Sequence, residues 1–236
     1  MSVLILPHQH DLIAAVDALE LDHVSAEKKD KHLPRRLLAA HAAAPTPIAA
    51  NCDRTYRAVH SSGKRPLDVI TLMVLHDEES STALSAAVWF TNPASGGSAT
   101  LCLDDLRCYR TLGDDDIPWG APGANYRGLH FEQAGYAAWT RNTWLTQHHA
   151  TIDRCAFKVA FHVKRYRGNG CQVKFLDHAA LASGNLKGIT THAECTKAFG
   201  GTHTDPGAGY PIDVFMARCE AFYAAMTMTH RPRYPR

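Results

Sequence analysis

Apolar and polar positions along the chain follow two different periods, which predict strands and helices in alternation. The segment LDVITLMVLHDEES, residues 67–80, holds a nearly continuous apolar run that ends at His76 and is followed by four polar residues. Such a run is typical of a central strand that is covered on both faces. Shorter patterns predict a hairpin over 98–112, a strand over 128–135, and a strand followed by a turn over 171–181.

Helical periodicity occurs in three further segments of the main part of the chain. Residues 81–93 predict a helix that stops before Pro93, because the residue preceding a proline avoids the helical region. Residues 143–168 place apolar side chains along one face of a long helix, and a last helix is predicted over roughly 211–228. Strands that alternate with helices, together with one hairpin, predict an α/β domain with a mixed central β-sheet flanked by helices.

The first sixty residues differ in pattern from the rest of the chain. Apolar residues recur with helical spacing between Leu12 and Leu21, and a charged and then alanine-rich segment follows, broken by two prolines. We therefore expect two parts. Residues 1–60 would form an N-terminal helical extension and linker, and residues 61–236 would form the main domain.

Composition and charge exclude several classes of function. The chain has 45% apolar and 20% charged residues, as in ordinary folded domains, and its formal net charge of +2 does not favour a nucleic-acid partner. No apolar stretch is long enough to span a membrane, and the first residues lack the basic segment of a secretory signal. We expect a protein made in the cytoplasm of its host cell, with no membrane partner. The oligomeric state stays open.

Cysteine and histidine usage adds two constraints. The seven cysteines are odd in number and include no CxxC pair, which argues against a disulfide-stapled secreted scaffold and against a zinc ribbon. We expect most of them to be reduced, buried, small apolar residues. Fifteen histidines is a high count, and it favours a metal site.

The segment THAECTKAFGGTHTDPG, residues 191–207, concentrates histidine, acid and glycine. A catalytic zinc takes three protein ligands from His, Asp, Glu or Cys and keeps a fourth position for water. His192 and Asp205 are two candidates, and His76 is a third because ligand sites gather at strand ends in α/β sheets. Taken singly, a strand-end histidine is usually structural and an aspartate before Pro-Gly usually forms a turn. Cys195 is an alternative ligand.

These motifs resemble a known family. The pattern HxxxTxxFGGxHTDPGxxYP, the upstream strand that ends in histidine and the central GANYRGLHFEQAG are similar to type 2 N-acetylmuramoyl-L-alanine amidases, which are related to peptidoglycan recognition proteins. The similarity covers about residues 67–225 and is greatest to amidase domains of endolysins from phages of mycobacteria and related actinobacteria. It implies the mixed-sheet fold of that family, a Zn²⁺ cofactor and bacterial peptidoglycan as the partner.

The resemblance also implies roles for individual residues. By position, the family's zinc ligands fall on His76, His192 and Asp205. Asp205 is preferred to Cys195 because it occupies the ligand position before Pro-Gly. The family's general base falls on Glu132, for which a solvated charge at a strand edge is the plainer alternative.

Three positions depart from the family pattern. Ala99 stands where some members have a tyrosine, which is consistent with a glutamate base, and Gly120 stands near the place of a loop histidine. His203 replaces a frequent lysine and would donate a hydrogen bond to the oxyanion; a turn role or a supporting contact with a metal ligand is the alternative. Asn125 and Trp119 are candidate substrate contacts, with a turn role and core packing as their respective alternatives.

The function that the resemblance implies is a zinc-dependent hydrolase that cleaves the amide between N-acetylmuramic acid and L-alanine. It would be a phage or prophage endolysin that acts on the cell wall after release and causes bacterial lysis. A non-catalytic peptidoglycan-binding module of the same fold is the alternative, although all three ligand positions are filled here. An unrelated zinc peptidase is a further alternative, but the HExxH and deaminase patterns are absent.

Overall fold

The computed structural model describes residues 51–226, which fold around a six-stranded sheet. The strands are β1 (Arg54–Thr55), β2 (Leu72–Asp77), β3 (Leu101–Leu103), β4 (Cys108–Arg110), β5 (Gly128–Gln133) and β6 (Gly188–Thr191). Their order across the sheet is β1-β4-β3-β5-β2-β6. All neighbours are parallel except β3 and β4, which form the predicted hairpin. The mixed sheet confirms the predicted fold class.

Helices flank this sheet on both faces. Within the described residues they are α1 (Ala83–Trp89), α2 (Arg141–Gln147), α3 (His149–Tyr166), α4 (His178–Ala182), α5 (His192–Phe199) and α6 (Ile212–Ala225). Four of them begin after a residue whose side chain accepts a backbone N–H, which satisfies one open donor of the first turn: Thr82, Thr140, Asp177 and Thr191. In the described part of the chain, no helix combines the length and the apolar character that crossing a bilayer requires.

Strand β2 lies between β5 and β6, and its side chains alternate between two cores. Met73 and Leu75 pack into the core that α3 and α6 cover. Leu72 and Val74 face the other side, among residues of α4 and α5. Burial on both faces explains why the strand is a continuous apolar run and has no polar alternation.

Two sequence predictions for local structure were wrong. The long helix predicted over 143–168 is two helices, because His148 between them leaves the helical region (φ −128°, ψ 19°) and its ring stacks on Trp139 at 3.9 Å between centroids. The strand predicted over 171–181 contributes only a single bridge, from Phe175 to Ile189, and is followed by α4. The strand that pairs with β2 in this part of the chain is β6, which the sequence pattern did not predict.

Residues 51–60, which the sequence analysis groups with the extension, contact the edge of the sheet. Strand β1 pairs in parallel with β4, and a disulfide joins Cys52 to Cys108 of β4. The other five cysteines are unpaired and buried, as expected for most of them. The helices predicted within residues 1–50 lie outside the described residues.

A buried carboxylate, Asp114, ties the loop after β4 to the end of α3. Its Oδ2 accepts a hydrogen bond from the Tyr166 hydroxyl at 2.7 Å, and its Oδ1 accepts one from Arg110 at 2.8 Å. Burial alone would raise the pKa of Asp114, but His162, Arg110 and Tyr166 together outweigh it and hold this pKa well below its usual value. The ionised form of Asp114 therefore stabilises the folded state.

Asp114→Asn is expected to lower the free energy of unfolding by about 2–4 kcal/mol at pH 7, because Arg110 would face a neutral amide and is only partly exposed. The folded-state pKa of Asp114 is depressed, so its contribution is present above about pH 4 and is lost as the pH falls further. Urea unfolding at pH 7 and pH 3 measures both effects. The control is Asp115→Asn, because the neighbouring Asp115 side chain is about half exposed. Equal stabilities of Asp114→Asn and wild type at pH 7 would contradict the assignment.

Candidate metal centre

Adjacent parallel strands bring the first two candidate ligands together. His76 lies near the carboxyl end of β2, and His192 begins α5 directly after the neighbouring strand β6. Asp205 lies on the loop that follows α5. The backbone carbonyl of Asp205 accepts a hydrogen bond from the N–H of Ala193 at 2.9 Å, which folds the loop back onto the start of α5. The carboxyl ends of β2 and β6 therefore bring together the side chains of His76 and Asp205, which are 129 residues apart in sequence.

The three predicted ligands converge on one point. His76 Nδ1 lies 3.0 Å from Asp205 Oδ2, and His192 Nδ1 lies 3.0 Å from Asp205 Oδ1. One ligand atom from each residue lies within 4.8 Å of the others, and both histidines are buried. Cys195, the alternative ligand, is buried in the apolar core beside Leu72 and is not a member of this group.

The protonation preferences of this group fit a metal ion, since ligands must be unprotonated to bind one. Burial would raise the pKa of Asp205, but hydrogen bonds with His192 and His76 outweigh it and hold this pKa well below its usual range. Burial lowers the pKa of His192, although Asp205 opposes the shift. Two imidazoles and one carboxylate are a donor set that suits zinc and leaves a position free for water or substrate.

Glu132 lies beside the three ligands because of the strand register. β5 pairs in parallel with β2 so that Glu132 is opposite His76, and Glu132 Oε1 lies 3.9 Å from His76 Nδ1. Burial raises the pKa of Glu132 well above its usual value, and the nearby carboxylates of Asp205, Glu78 and Asp77 raise it further. A carboxylate with a high proton affinity beside a metal site is suited to taking up a proton and releasing it again.

His203 lies at the rim of the site and is accessible to solvent. Its side chain is 65% exposed, and its ring stacks on the ring of His192 with the centroids 4.3 Å apart. His203 Nδ1 lies 3.7 Å from Asp205 Oδ1. The position leaves His203 free to contact a bound molecule above the ligand group.

The site contains a fourth histidine that the sequence analysis missed. His130 precedes Glu132 by two residues in β5, so both side chains lie on the same face of the sheet. The ring of His130 is fully buried, and its Nδ1 lies 2.9 Å from His76 Nε2. A Cβ atom built on Gly120 would overlap this ring, so the His130 side chain requires a glycine at position 120. The strand alternation was the signal that could have found it.

A cavity of about 740 Å³ opens above the ligand group. Glu132 and the three ligands line its floor, and Trp89 of α1 and Trp119 line its walls. Both tryptophans are about half exposed. The Trp119 ring stacks on His60 at 4.6 Å, and its Nε1 donates a hydrogen bond to Ser62. Trp89 has no counterpart in the sequence analysis.

Asn125 does not line this cavity. Its side-chain oxygen accepts hydrogen bonds from the backbone N–H groups of Gly120 and Ala121, at 3.1 and 2.8 Å. Asn125 therefore holds the loop that follows Trp119, which is the turn role given as the alternative to substrate contact. Ala99 is fully buried and offers no polar group to the site.

Comparison with known proteins gives a likeness of structure and not of sequence. No protein-family model matches the chain, and no curated protein is detectably similar to it. The hydrolase AmiA of Staphylococcus aureus, solved in complex with its ligand, is 18% identical with a TM-score of 0.57, and the match covers 73% of this chain and 83% of AmiA.

Two further solved structures show a weaker likeness. AmpD has a TM-score of 0.47 at 18% identity, over 70% of this chain and 93% of AmpD. The N-acetylmuramoyl-L-alanine amidase LysC from Clostridium intestinale has a TM-score of 0.44 at 11% identity, over 72% of this chain and 99% of LysC. This chain is a mixed α/β domain that shares its fold with the hydrolase AmiA.

Proposed function

We propose that the protein is a zinc-dependent N-acetylmuramoyl-L-alanine amidase that cleaves the stem peptide from bacterial peptidoglycan. The observation that carries the proposal is the convergence of His76, His192 and Asp205 at the floor of an open cavity, with Glu132 beside them. The fold shared with AmiA and the motifs of the sequence support it. The same motifs favour a phage or prophage endolysin, which would act on the wall after release and lyse the cell.

The bond to be broken is the amide between the lactyl group of N-acetylmuramic acid and L-alanine. His76, His192 and Asp205 would hold the zinc ion through two imidazole nitrogens and one carboxylate. When bound, zinc makes water acidic near neutral pH and polarises the scissile carbonyl. The half-open cavity above these ligands gives the substrate access to them.

Glu132 and His203 supply the proton transfer and the hydrogen bonding. The Glu132 carboxylate would accept a proton from the attacking water and then deliver it to the leaving amine nitrogen of L-alanine, as its raised pKa favours. The exposed ring of His203 would donate a hydrogen bond to the carbonyl oxygen as negative charge develops there. His192 supports that ring by stacking against it.

Trp119→Ala is expected to raise KM for cell walls about three- to tenfold and to leave kcat within about twofold. An exposed aromatic ring on the cavity wall contributes about 0.5–1.5 kcal/mol of binding and does not touch the reacting atoms. Trp89→Ala should behave alike, because Trp89 also lines the cavity and is about half exposed. Tyr126→Ala is the matched control, because Tyr126 is equally exposed but does not line the cavity. A fall in kcat with unchanged KM would assign Trp119 another role.

The proposed activity is tested by metal content and product analysis. Purified full-length protein should contain one zinc per chain, should clear suspensions of purified cell walls and should release free L-alanine amino termini. Dialysis against a chelator should abolish both activities, and added Zn²⁺ should restore them. Stoichiometric zinc and wall binding without release of stem peptides would instead establish the non-catalytic peptidoglycan-binding module.

A further inference from the structure

His130 makes a specific contact with one of the candidate zinc ligands. Its Nδ1 lies 2.9 Å from Nε2 of His76, on the side of the His76 ring away from Asp205. The other nitrogen of His130, Nε2, is buried and has no hydrogen-bond partner within residues 51–226. The pairing with His76 is thus the only hydrogen bond that the His130 ring makes in this part of the chain.

The contact admits one arrangement of protons if His76 binds a metal through Nδ1. A neutral imidazole carries a single N–H, and a ligating nitrogen must offer its lone pair. His76 Nδ1 faces Asp205 and the other ligands, so the N–H of His76 is on Nε2. That N–H points at His130 Nδ1, which must then accept the hydrogen bond, and the N–H of His130 is on its own Nε2.

We infer that His130 is a positioning residue for zinc: it accepts a hydrogen bond from His76 Nε2 and so fixes both the tautomer and the orientation of the ligating ring. The inference rests on the proposed zinc site. Metal-bound histidines usually donate this second N–H to a carboxylate, a carbonyl or water, and a neutral imidazole takes that place here.

Surrounding groups hold His130 in this position. Its backbone N–H donates a hydrogen bond to the Thr100 hydroxyl at 3.1 Å, and Gly120 provides the space for its ring. The second ligating histidine has no equivalent support, because His192 Nε2 is buried without a hydrogen-bond partner among the described residues. His130 therefore supports the ring of His76 and not the ring of His192.

The experiment measures zinc affinity by chelator competition for two variants of the full chain. His130→Leu removes the acceptor and should weaken zinc binding about 10- to 100-fold. His130→Asn places an amide oxygen near the position of Nδ1 and should recover most of the loss. His162→Leu is the matched control, because His162 is an equally buried histidine on the opposite face of the sheet. It should lower Tm and leave zinc affinity within about threefold.

A second measurement needs no variant and decides the question if His130→Leu does not fold. Nitrogen-15 NMR of the zinc-loaded wild type should show the proton of His76 on Nε2 and that of His130 on Nε2. A proton on His130 Nδ1, or unchanged zinc affinity in folded His130→Leu, would overturn the inference while leaving the amidase proposal intact. A wild type that binds no zinc would overturn the proposed function itself.

Discussion

The Asp205→Ala protein is expected to lose its zinc and, with it, all measurable release of stem peptides. The carboxylate of Asp205 lies between the imidazoles of His76 and His192, with 3.0 Å contacts to both. Its removal leaves only two neutral ligands, fewer than the three that catalytic zinc sites use. Loss of partners outside the ligand shell already costs about 10- to 100-fold in metal affinity, so loss of a ligand should exceed that range. Zinc content after dialysis, measured alongside wall hydrolysis, checks the prediction.

The comparison for this variant is Asp115→Ala, which removes a half-exposed aspartate paired with Lys64 and should retain both zinc and activity. A folded Asp205→Ala protein with one tightly held zinc would show that the third ligand lies elsewhere. Cys195 would then be the first residue to examine, although it is buried in the core in this structure.

Glu132→Gln is expected to keep its zinc and to cleave about 10²- to 10⁴-fold more slowly, the usual cost of losing a general acid or base. The amide has nearly the shape of the carboxylate but cannot take up the proton of the attacking water. Without metal, the Glu132→Gln protein should be at least as stable as the wild-type apoprotein. The substitution removes an acid that is buried near the carboxylates of Asp205, Glu78 and Asp77. Single-turnover cleavage measures the rate, zinc analysis measures metal retention, and the Tm of the apoprotein measures stability, each compared with wild type.

Glu220→Gln serves as the control for this experiment, because Glu220 is exposed on α6, outside the cavity. Wall hydrolysis by Glu132→Gln at a rate within twofold of wild type would remove Glu132 from the proton transfer. His203 would then be the remaining candidate at the rim of the site.

The convergence of His76, His192 and Asp205 was predictable because it depends on a short motif and a strand end. The apolar run of β2 indicated where His76 would stand, and the motif around His192 and Asp205 supplied the other two members of the group. Only the resemblance pointed to Glu132 as the general base, and its position opposite His76 was not predicted, because the relative register of two strands cannot be read from either strand alone. The structure adds that register.

Other features depend on contacts that the local sequence does not encode. His130 lies in β5, and its contact with His76 follows from the pairing of two segments 54 residues apart in sequence. Strand β6 has only four residues and contains two threonines, so its burial beside β2 leaves little apolar pattern. Asn125 is suited equally to a turn and to a substrate contact until its hydrogen bonds to the loop are known.

The edge of the sheet formed by residues 51–62 determines where this chain can be cut for fusion to another protein. A fusion junction at residue 61, where the sequence pattern changes, would discard Cys52, strand β1 and the His60 ring that supports Trp119. Such a fragment would retain His76, His192, Asp205 and Glu132, yet Trp119 on the cavity wall would lose the ring that stacks against it. The junction of a fusion should therefore lie before Asn51, so that the transferred part keeps the disulfide, strand β1 and His60.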